Sequence, residues 1–147
     1  MLAGRLAGRR YVEPVVVVLS LGGISVGREI AQTLQAPLRF LGSLGNGNGL
    51  ASHPPALDAR DVADHSVVLV DEWIASASHV RSALERLRAL GSARRVVLAA
   101  PAAVDRWLAE IEHELDAVFC LARVKQPSEL ATFYADTAVA QDKPHPV

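Results

Sequence analysis

Two neighbouring carboxylates, Asp71 and Glu72, directly follow an apolar run at residues 67–70. Such a run indicates a strand buried on both faces, and open α/β sheets bind ligands at the carboxyl ends of their strands. The residues that follow are small: Ala75, Ser76, Ala77 and Ser78. Small residues before a helix allow the backbone N–H groups to approach an anion. The pattern therefore predicts acids that hold ligand hydroxyls beside a bound anion.

Strands and helices are predicted to alternate along the chain. Apolar runs predict strands at residues 15–19, 38–41, 67–70, 96–100 and 117–121, and helical spacing of apolar residues predicts helices at 2–10, 25–34, 79–90 and 104–115. Gly91 is predicted to end the third of these helices as a left-handed cap. Alternation of this kind predicts a doubly wound, mainly parallel sheet in a single α/β domain over residues 1–147.

Composition is that of an ordinary globular domain, with 147 residues, 50% hydrophobic and 21% charged. The formal net charge of -1 provides no basic field for nucleic acid or a membrane surface. No segment reaches the ~18 consecutive apolar residues of a membrane span, and a signal-peptide core is absent from the first residues. The single cysteine, Cys120, suits a reducing compartment. We therefore expect a cytoplasmic protein that binds neither nucleic acid nor membranes.

The segment from residue 67 to residue 90 resembles the signature of the type I phosphoribosyltransferases, which is a hydrophobic strand, two acids, a loop with Thr-Gly-x-Thr and a helix. The resemblance implies that Asp71 and Glu72 are catalytic and bind the ribose 2′ and 3′ hydroxyls. It also implies a loop that binds the 5′-phosphate, made of Ala75, Ser76, Ala77, Ser78 and His79. In this loop Ala77 stands in place of the glycine, and His79 in place of the second threonine.

The resemblance covers most of the chain and extends to the small predicted bacterial phosphoribosyltransferases. Their pyrophosphate loop, usually Pro-Arg-Gly-Gly, corresponds to Ser20, Leu21, Gly22 and Gly23, so that a leucine replaces the arginine. Phe133 and Tyr134 match an aromatic tail that would stack on a base. Residues 42–63 form a shortened, flexible loop region where such enzymes carry a longer flap, and residues 141–147 are predicted to be a disordered tail.

The resemblance implies binding of ribose 5-phosphate or 5-phosphoribosyl 1-pyrophosphate, with transfer of phosphoribosyl to a nitrogenous base. Mg²⁺ would be held by the ligand, close to Asp71 and Glu72 but not coordinated directly by any residue. The alternative is a catalytically inactive homologue that acts as a regulatory, binding or subunit-partner protein. The changes at Leu21, Trp73, Ala77 and His79 and the shortened loop favour this alternative. A homodimer or a partner subunit belongs to both hypotheses.

Simpler interpretations of the same residues remain open. The acidic pair also suits the amino end of a helix through its dipole, and the aromatic pair at residues 133–134 also suits a packing or dimer contact. A dinucleotide site would need Gly-x-Gly-x-x-Gly, whereas the spacing of Gly22, Gly23 and Gly27 differs. A phospho-acceptor receiver domain would place its acids after the first strand, but here they follow the third.

Overall fold

The computed structural model describes residues 2–7, 11–41, 54–74, 76–126 and 128–129. The helices are α1 (Leu2–Ala7), α2 (Ile24–Leu34), α3 (Ala59–Val62), α4 (Ala77–Leu90) and α5 (Asp105–Ile111). The strands are β1 (Pro14–Val18), β2 (Leu38–Phe40), β3 (Ser66–Val70), β4 (Trp73–Ile74), β5 (Arg95–Val104) and β6 (Ala117–Val124). Two single 3-10 turns span Leu21–Gly23 and Glu112–Glu114. None of the described helices has the length and apolar character needed to cross a membrane.

Some predictions concern positions outside this described part of the chain. They are those for Ala75, Phe133, Tyr134, the loop at residues 42–53 and the tail at residues 141–147. The same holds for residues 8–10 of the first predicted helix, which is described only over Leu2–Ala7.

The strands form one parallel sheet in the order β2-β1-β3-β5, with β6 also paired to β5. β3 pairs with β5 as far as Ala99, and β4 pairs with it again at Ala102 and Ala103. Because β6 pairs along the length of β5, β3 and β4 share the opposite edge of that strand. Between them the chain leaves the sheet for only two residues, Asp71 and Glu72. The predicted parallel α/β fold is confirmed.

Alternate side chains of the central strands enter two separate core layers. Val15 and Val17 pack in the layer that contains the buried residues of α4 and α5, and Val16 and Val18 pack in the layer of α1 and α2. Strands buried on both faces need apolar residues at consecutive positions, which is why they appear in the sequence as unbroken runs. The helices therefore cover both faces of the sheet, and its carboxyl edge is left to the connecting loops.

β5 and β6 extend beyond their predicted ends, to Val104 and Val124. The fourth predicted strand ends at residue 100, directly before Pro101, and proline has no N–H to donate to a sheet. In the structure the strand continues, since Ala102 pairs with both β4 and β6. As a consequence, the helix predicted at residues 104–115 begins one residue later and ends at Ile111, where a 3-10 turn takes over.

The ends of two helices also differ from prediction. α4 begins at Ala77, two residues early, because the Ser76 hydroxyl accepts a hydrogen bond from the Ser78 N–H at 3.2 Å and caps the helix. The left-handed cap predicted at Gly91 is wrong, because its φ of 164° is extended. The left-handed residue is Gln35, with a φ of 53°, at the end of α2.

α3 was not predicted, and it lies inside the region expected to be a flexible loop at residues 42–63. Asp58 caps it by accepting from the Arg60 N–H at 2.8 Å, while the Asp61 side chain accepts from the Asp58 N–H at 3.0 Å. Hydrogen bonds from the Arg60 side chain and backbone lower the pKa of Asp58. This reciprocal capping stabilises a helical turn that the sequence analysis did not predict.

α2 packs closely on β1 at Gly27, where a Cβ would overlap the Val18 side chain. Gly27→Ala should therefore lower the free energy of unfolding by about 1 kcal/mol, because strain from overpacking exceeds the gain in helix propensity. Urea unfolding measures the change. Gly91→Ala is the matched control, since its Cβ would meet only ordinary contacts at 3.8 Å. Equal losses in both variants would contradict the packing explanation.

Candidate functional site

The carboxyl ends of β1 and β3 lie side by side and bring two predicted site segments together. Val18 pairs with Val70, and the Leu19 N–H donates to the Val70 carbonyl at 3.0 Å. The chain then reaches Ser20 after β1 and Asp71 after β3, both at the same edge of the sheet. The Ser20 hydroxyl donates to Asp71 Oδ1 at 2.7 Å. The predicted pyrophosphate loop and the predicted acidic pair are thus in direct contact.

Asp71 is buried, with only 4% of its surface exposed. Its Oδ1 accepts hydrogen bonds from the Ser20 hydroxyl and from the Glu72 N–H, the latter at 2.8 Å. Its Oδ2 lies 3.1 Å from His79 Nε2. A buried carboxylate requires such partners in place of water, so the fold holds this acid in a defined orientation.

Glu72 lies beside the 3-10 turn that follows β1. A Cβ on Gly22 would overlap the carboxylate oxygen Oε2 of Glu72, so glycine leaves space for this acid. Gly23 is buried, and a Cβ there would contact the Asp71 Cα at 3.4 Å. The two glycines therefore bring the turn close to both acids. The residue before them, Leu21, is 56% exposed.

The first turn of α4 closes the site from the other side. The hydroxyls of Ser76 and Ser78 form a hydrogen bond of 2.7 Å, and the Ser76 hydroxyl also caps the helix. Because the first N–H groups of a helix have no partner within it, they attract anions together with the helix dipole. His79 lies in this turn and reaches back to Asp71, with 51% of its side chain exposed. The turn therefore connects the amino end of α4 to the buried acid.

These segments surround a cleft of about 260 Å³, lined by Ser20, Asp71, Glu72, Trp73, Ser76 and His79. Ligand pockets commonly span ~300–1,000 Å³, so the cleft is small and suits a compact polar ligand. Trp73 lines the cleft and is 38% exposed. Among the described lining residues, two are acids and His79 is the one basic side chain.

Two of these contacts were missed by the sequence analysis. The sequence indicated that Ser20 and His79 belong to phosphate-binding loops, but it did not indicate that both contact Asp71. The strand pairing was a usable signal for Ser20, because neighbouring parallel strands end at the same edge. For the contact between His79 and Asp71 the sequence contained no signal, since it depends on the orientation of α4 relative to β3.

Residues 1–136 match the family described as phosphoribosyl transferase domain. The structure is similar to TT1426 from Thermus thermophilus, with a TM-score of 0.65 and 22% identity over 84% of this chain and 80% of that one. It is also similar to purine phosphoribosyltransferase from Pyrococcus horikoshii, with a TM-score of 0.57 and 21% identity over 84% and 78% of the two chains.

A third similar structure is adenine phosphoribosyl transferase from Trypanosoma brucei in complex with AMP, pyrophosphate and ribose-5-phosphate. The TM-score is 0.61 and the identity 14%, over 82% of this chain and 60% of that one. The comparison with curated proteins gives no match. At these identities, the solved structures establish a shared fold.

Proposed function

This chain belongs to the phosphoribosyl transferase domain family, and from that premise we propose that its cleft binds a 5-phosphorylated ribose, either ribose 5-phosphate or 5-phosphoribosyl 1-pyrophosphate. The observation that carries the proposal is the arrangement of Asp71 and Glu72 opposite the first turn of α4, across one cleft. Carboxylates accept hydrogen bonds from hydroxyls, and a helix amino end attracts phosphate. The two halves of the cleft thus match the two ends of a ribose phosphate.

We propose phosphoribosyl transfer to a nitrogenous base as the reaction. A nitrogen of the base would form a bond to C1 of the ribose while the bond from C1 to the pyrophosphate oxygen breaks. The electron pair of the broken bond would leave with pyrophosphate, and the proton of the attacking nitrogen would be released to solvent. Positive charge develops on the ribose during this exchange. Asp71 and Glu72, beside the sugar, would stabilise that charge, because fixed carboxylates act strongly where charge appears in the transition state.

Magnesium enters this proposal as part of the ligand. Within the described part of the chain no group of three or more His, Cys, Asp or Glu residues could hold a metal ion. Asp71 and Glu72 would accept hydrogen bonds from the ribose hydroxyls that hold the ion. When bound, Mg²⁺ held by the hydroxyls and pyrophosphate of the ligand would neutralise charge on the leaving group.

A second candidate is a family member that binds the sugar phosphate without turnover and acts as a regulatory or partner protein. The observation that favours it is Leu21, which lies exposed in the turn where the resemblance expects an arginine. An aliphatic side chain donates no hydrogen bonds to a pyrophosphate, whereas an arginine donates several. The pyrophosphate half of a donor would therefore be held more weakly than the ribose phosphate half.

Calorimetric titration with ribose 5-phosphate, and with 5-phosphoribosyl 1-pyrophosphate plus Mg²⁺, tests the binding proposal. We expect saturable binding of both, because both carry the ribose hydroxyls and the 5′-phosphate. Ribose 5-phosphate should compete with the pyrophosphate donor for one site. Absence of binding for both compounds at millimolar concentration would refute the proposal.

Release of pyrophosphate separates the two candidates. With 5-phosphoribosyl 1-pyrophosphate, Mg²⁺ and a panel of purine and pyrimidine bases, a transferase releases pyrophosphate only when its acceptor is present. A binding protein retains the donor intact with every base. Pyrophosphate release that depends on one base would therefore support the transferase and would also identify its acceptor.

A further inference from the structure

His79 occupies a position where two parts of the proposed site meet. Its backbone belongs to the first turn of α4, where the phosphate would bind, and its imidazole Nε2 lies 3.1 Å from Asp71 Oδ2. The other Asp71 oxygen already accepts two hydrogen bonds, from Ser20 and from the Glu72 N–H. Oδ2 is thus the oxygen best placed to receive a ligand hydroxyl, and the imidazole covers it.

Because the Asp71 side chain is only 6% exposed and the imidazole lies over Oδ2, a ribose hydroxyl reaches that oxygen when the imidazole moves aside. The side chain of His79 is half exposed, which leaves it free to rotate away from the acid. Once released, it stays within the cleft that it lines together with Ser76. A phosphate at the start of α4 would be its nearest new partner.

Charge in the cleft favours the same exchange. The cleft is lined by two carboxylates, Asp71 and Glu72, which repel a phosphate. The one basic side chain among its described lining residues is His79. Arg86 lies further along α4 and borders a neighbouring hollow that it shares with His79. While the imidazole contacts Asp71, that carboxylate offsets much of its attraction for a phosphate.

We propose that His79 is a specificity-determining residue that leaves Asp71 and binds the phosphate when a ligand enters. This inference rests on the proposed function. Its consequence is selectivity for ligands that carry a ribose diol and a phosphate in one molecule. A diol alone has to displace the imidazole from Asp71 but offers the imidazole no new partner. A phosphate alone offers the imidazole a new partner but leaves Asp71 without one. A sugar phosphate satisfies both groups.

The test compares His79→Ala with the wild-type protein against three probes: ribose, inorganic phosphate and ribose 5-phosphate. Binding is followed by amide NMR. In His79→Ala, ribose should bind about three- to tenfold more tightly, because Oδ2 is uncovered, and inorganic phosphate about three- to tenfold more weakly. In the wild-type protein, the imidazole resonances of His79 should shift with ribose 5-phosphate. His113→Ala, which removes an exposed histidine from the 3-10 turn after α5, should change neither affinity.

The proposed exchange predicts that His79→Ala binds ribose more tightly and inorganic phosphate more weakly than the wild-type protein does. Equal weakening for ribose and phosphate, or no change for either, would overturn it while leaving the proposed binding function intact if ribose 5-phosphate still binds. His79→Gln is the second variant, because glutamine keeps a donor for Asp71 but lacks the imidazole ring. It should bind ribose like the wild type and phosphate more weakly. A wild-type protein that fails to bind ribose 5-phosphate would refute the inference and the proposed function together.

Discussion

Asp71→Asn is expected to weaken the binding of ribose 5-phosphate by about 2 kcal/mol, roughly 30-fold, as hydrogen bonds to charged groups are worth ~1.5–3 kcal/mol. The Asn oxygen can still accept hydrogen bonds from the Ser20 hydroxyl and from the Glu72 N–H, so the backbone conformation at residue 71 should be unchanged. The amide group that replaces Oδ2 carries no charge and donates where the carboxylate accepted. Calorimetry with ribose 5-phosphate measures the loss, and circular dichroism checks that the domain remains folded.

Asp116→Asn is the matched control for this experiment. Asp116 also accepts a backbone hydrogen bond, from the Val96 N–H at 2.7 Å, but it lies at the opposite edge of the sheet. Its replacement should leave ribose 5-phosphate binding unchanged. Wild-type affinity in Asp71→Asn would show that the acid merely complements the dipole of α4 and does not contact the ligand.

Leu21→Arg is expected to strengthen the binding of 5-phosphoribosyl 1-pyrophosphate by about 1.4 kcal/mol, or tenfold, while the affinity for ribose 5-phosphate stays the same. The physical reason is that an arginine donates paired hydrogen bonds to a phosphate, which leucine cannot do. Leu21 is 56% exposed, so the longer side chain fits without disturbing the core. Parallel titrations with the two ligands measure the difference.

Leu121→Arg separates this local effect from a change in net charge. Leu121 is 41% exposed on β6, so the same substitution adds the same charge away from the cleft. It should leave both affinities near their wild-type values. Equal gains in the two variants, or a gain for ribose 5-phosphate in Leu21→Arg, would contradict a pyrophosphate contact at this turn.

Most of the fold was predictable because the strands are buried on both faces. Continuous apolar runs, such as the one at residues 67–70, predicted β1 and β3 to within one residue at each end. Prediction failed where pairing between distant segments decides the structure. Pro101 suggests a strand end, yet β5 continues through it because β4 and β6 pair with the residues that follow the proline. The two-residue strand β4 exists only through that pairing and has no pattern of its own.

The sequence predicted which residues form the site, but it did not predict which of their side chains contact one another. The order of strand, acids, small residues and helix predicts that Asp71, Glu72 and Ser76 lie at one edge, and the structure places them around one cleft. That Ser20 and His79 both contact Asp71 depends on side-chain orientation after the sheet and α4 have packed. Such contacts follow from tertiary geometry, which single-residue preferences do not contain.

The strands before and after Asp71 and Glu72 fix this segment in the sheet, and this limits how its backbone can move. β3 pairs with β5 before them and β4 pairs with it after them, so the acidic segment cannot lift away as a unit without breaking sheet hydrogen bonds. Within this segment, rearrangement on ligand entry is therefore left to side-chain rotation, which takes picoseconds to nanoseconds at exposed positions. On an evolutionary scale, the same rigidity lets single substitutions around the cleft alter ligand preference while the main chain that carries the acids stays in place.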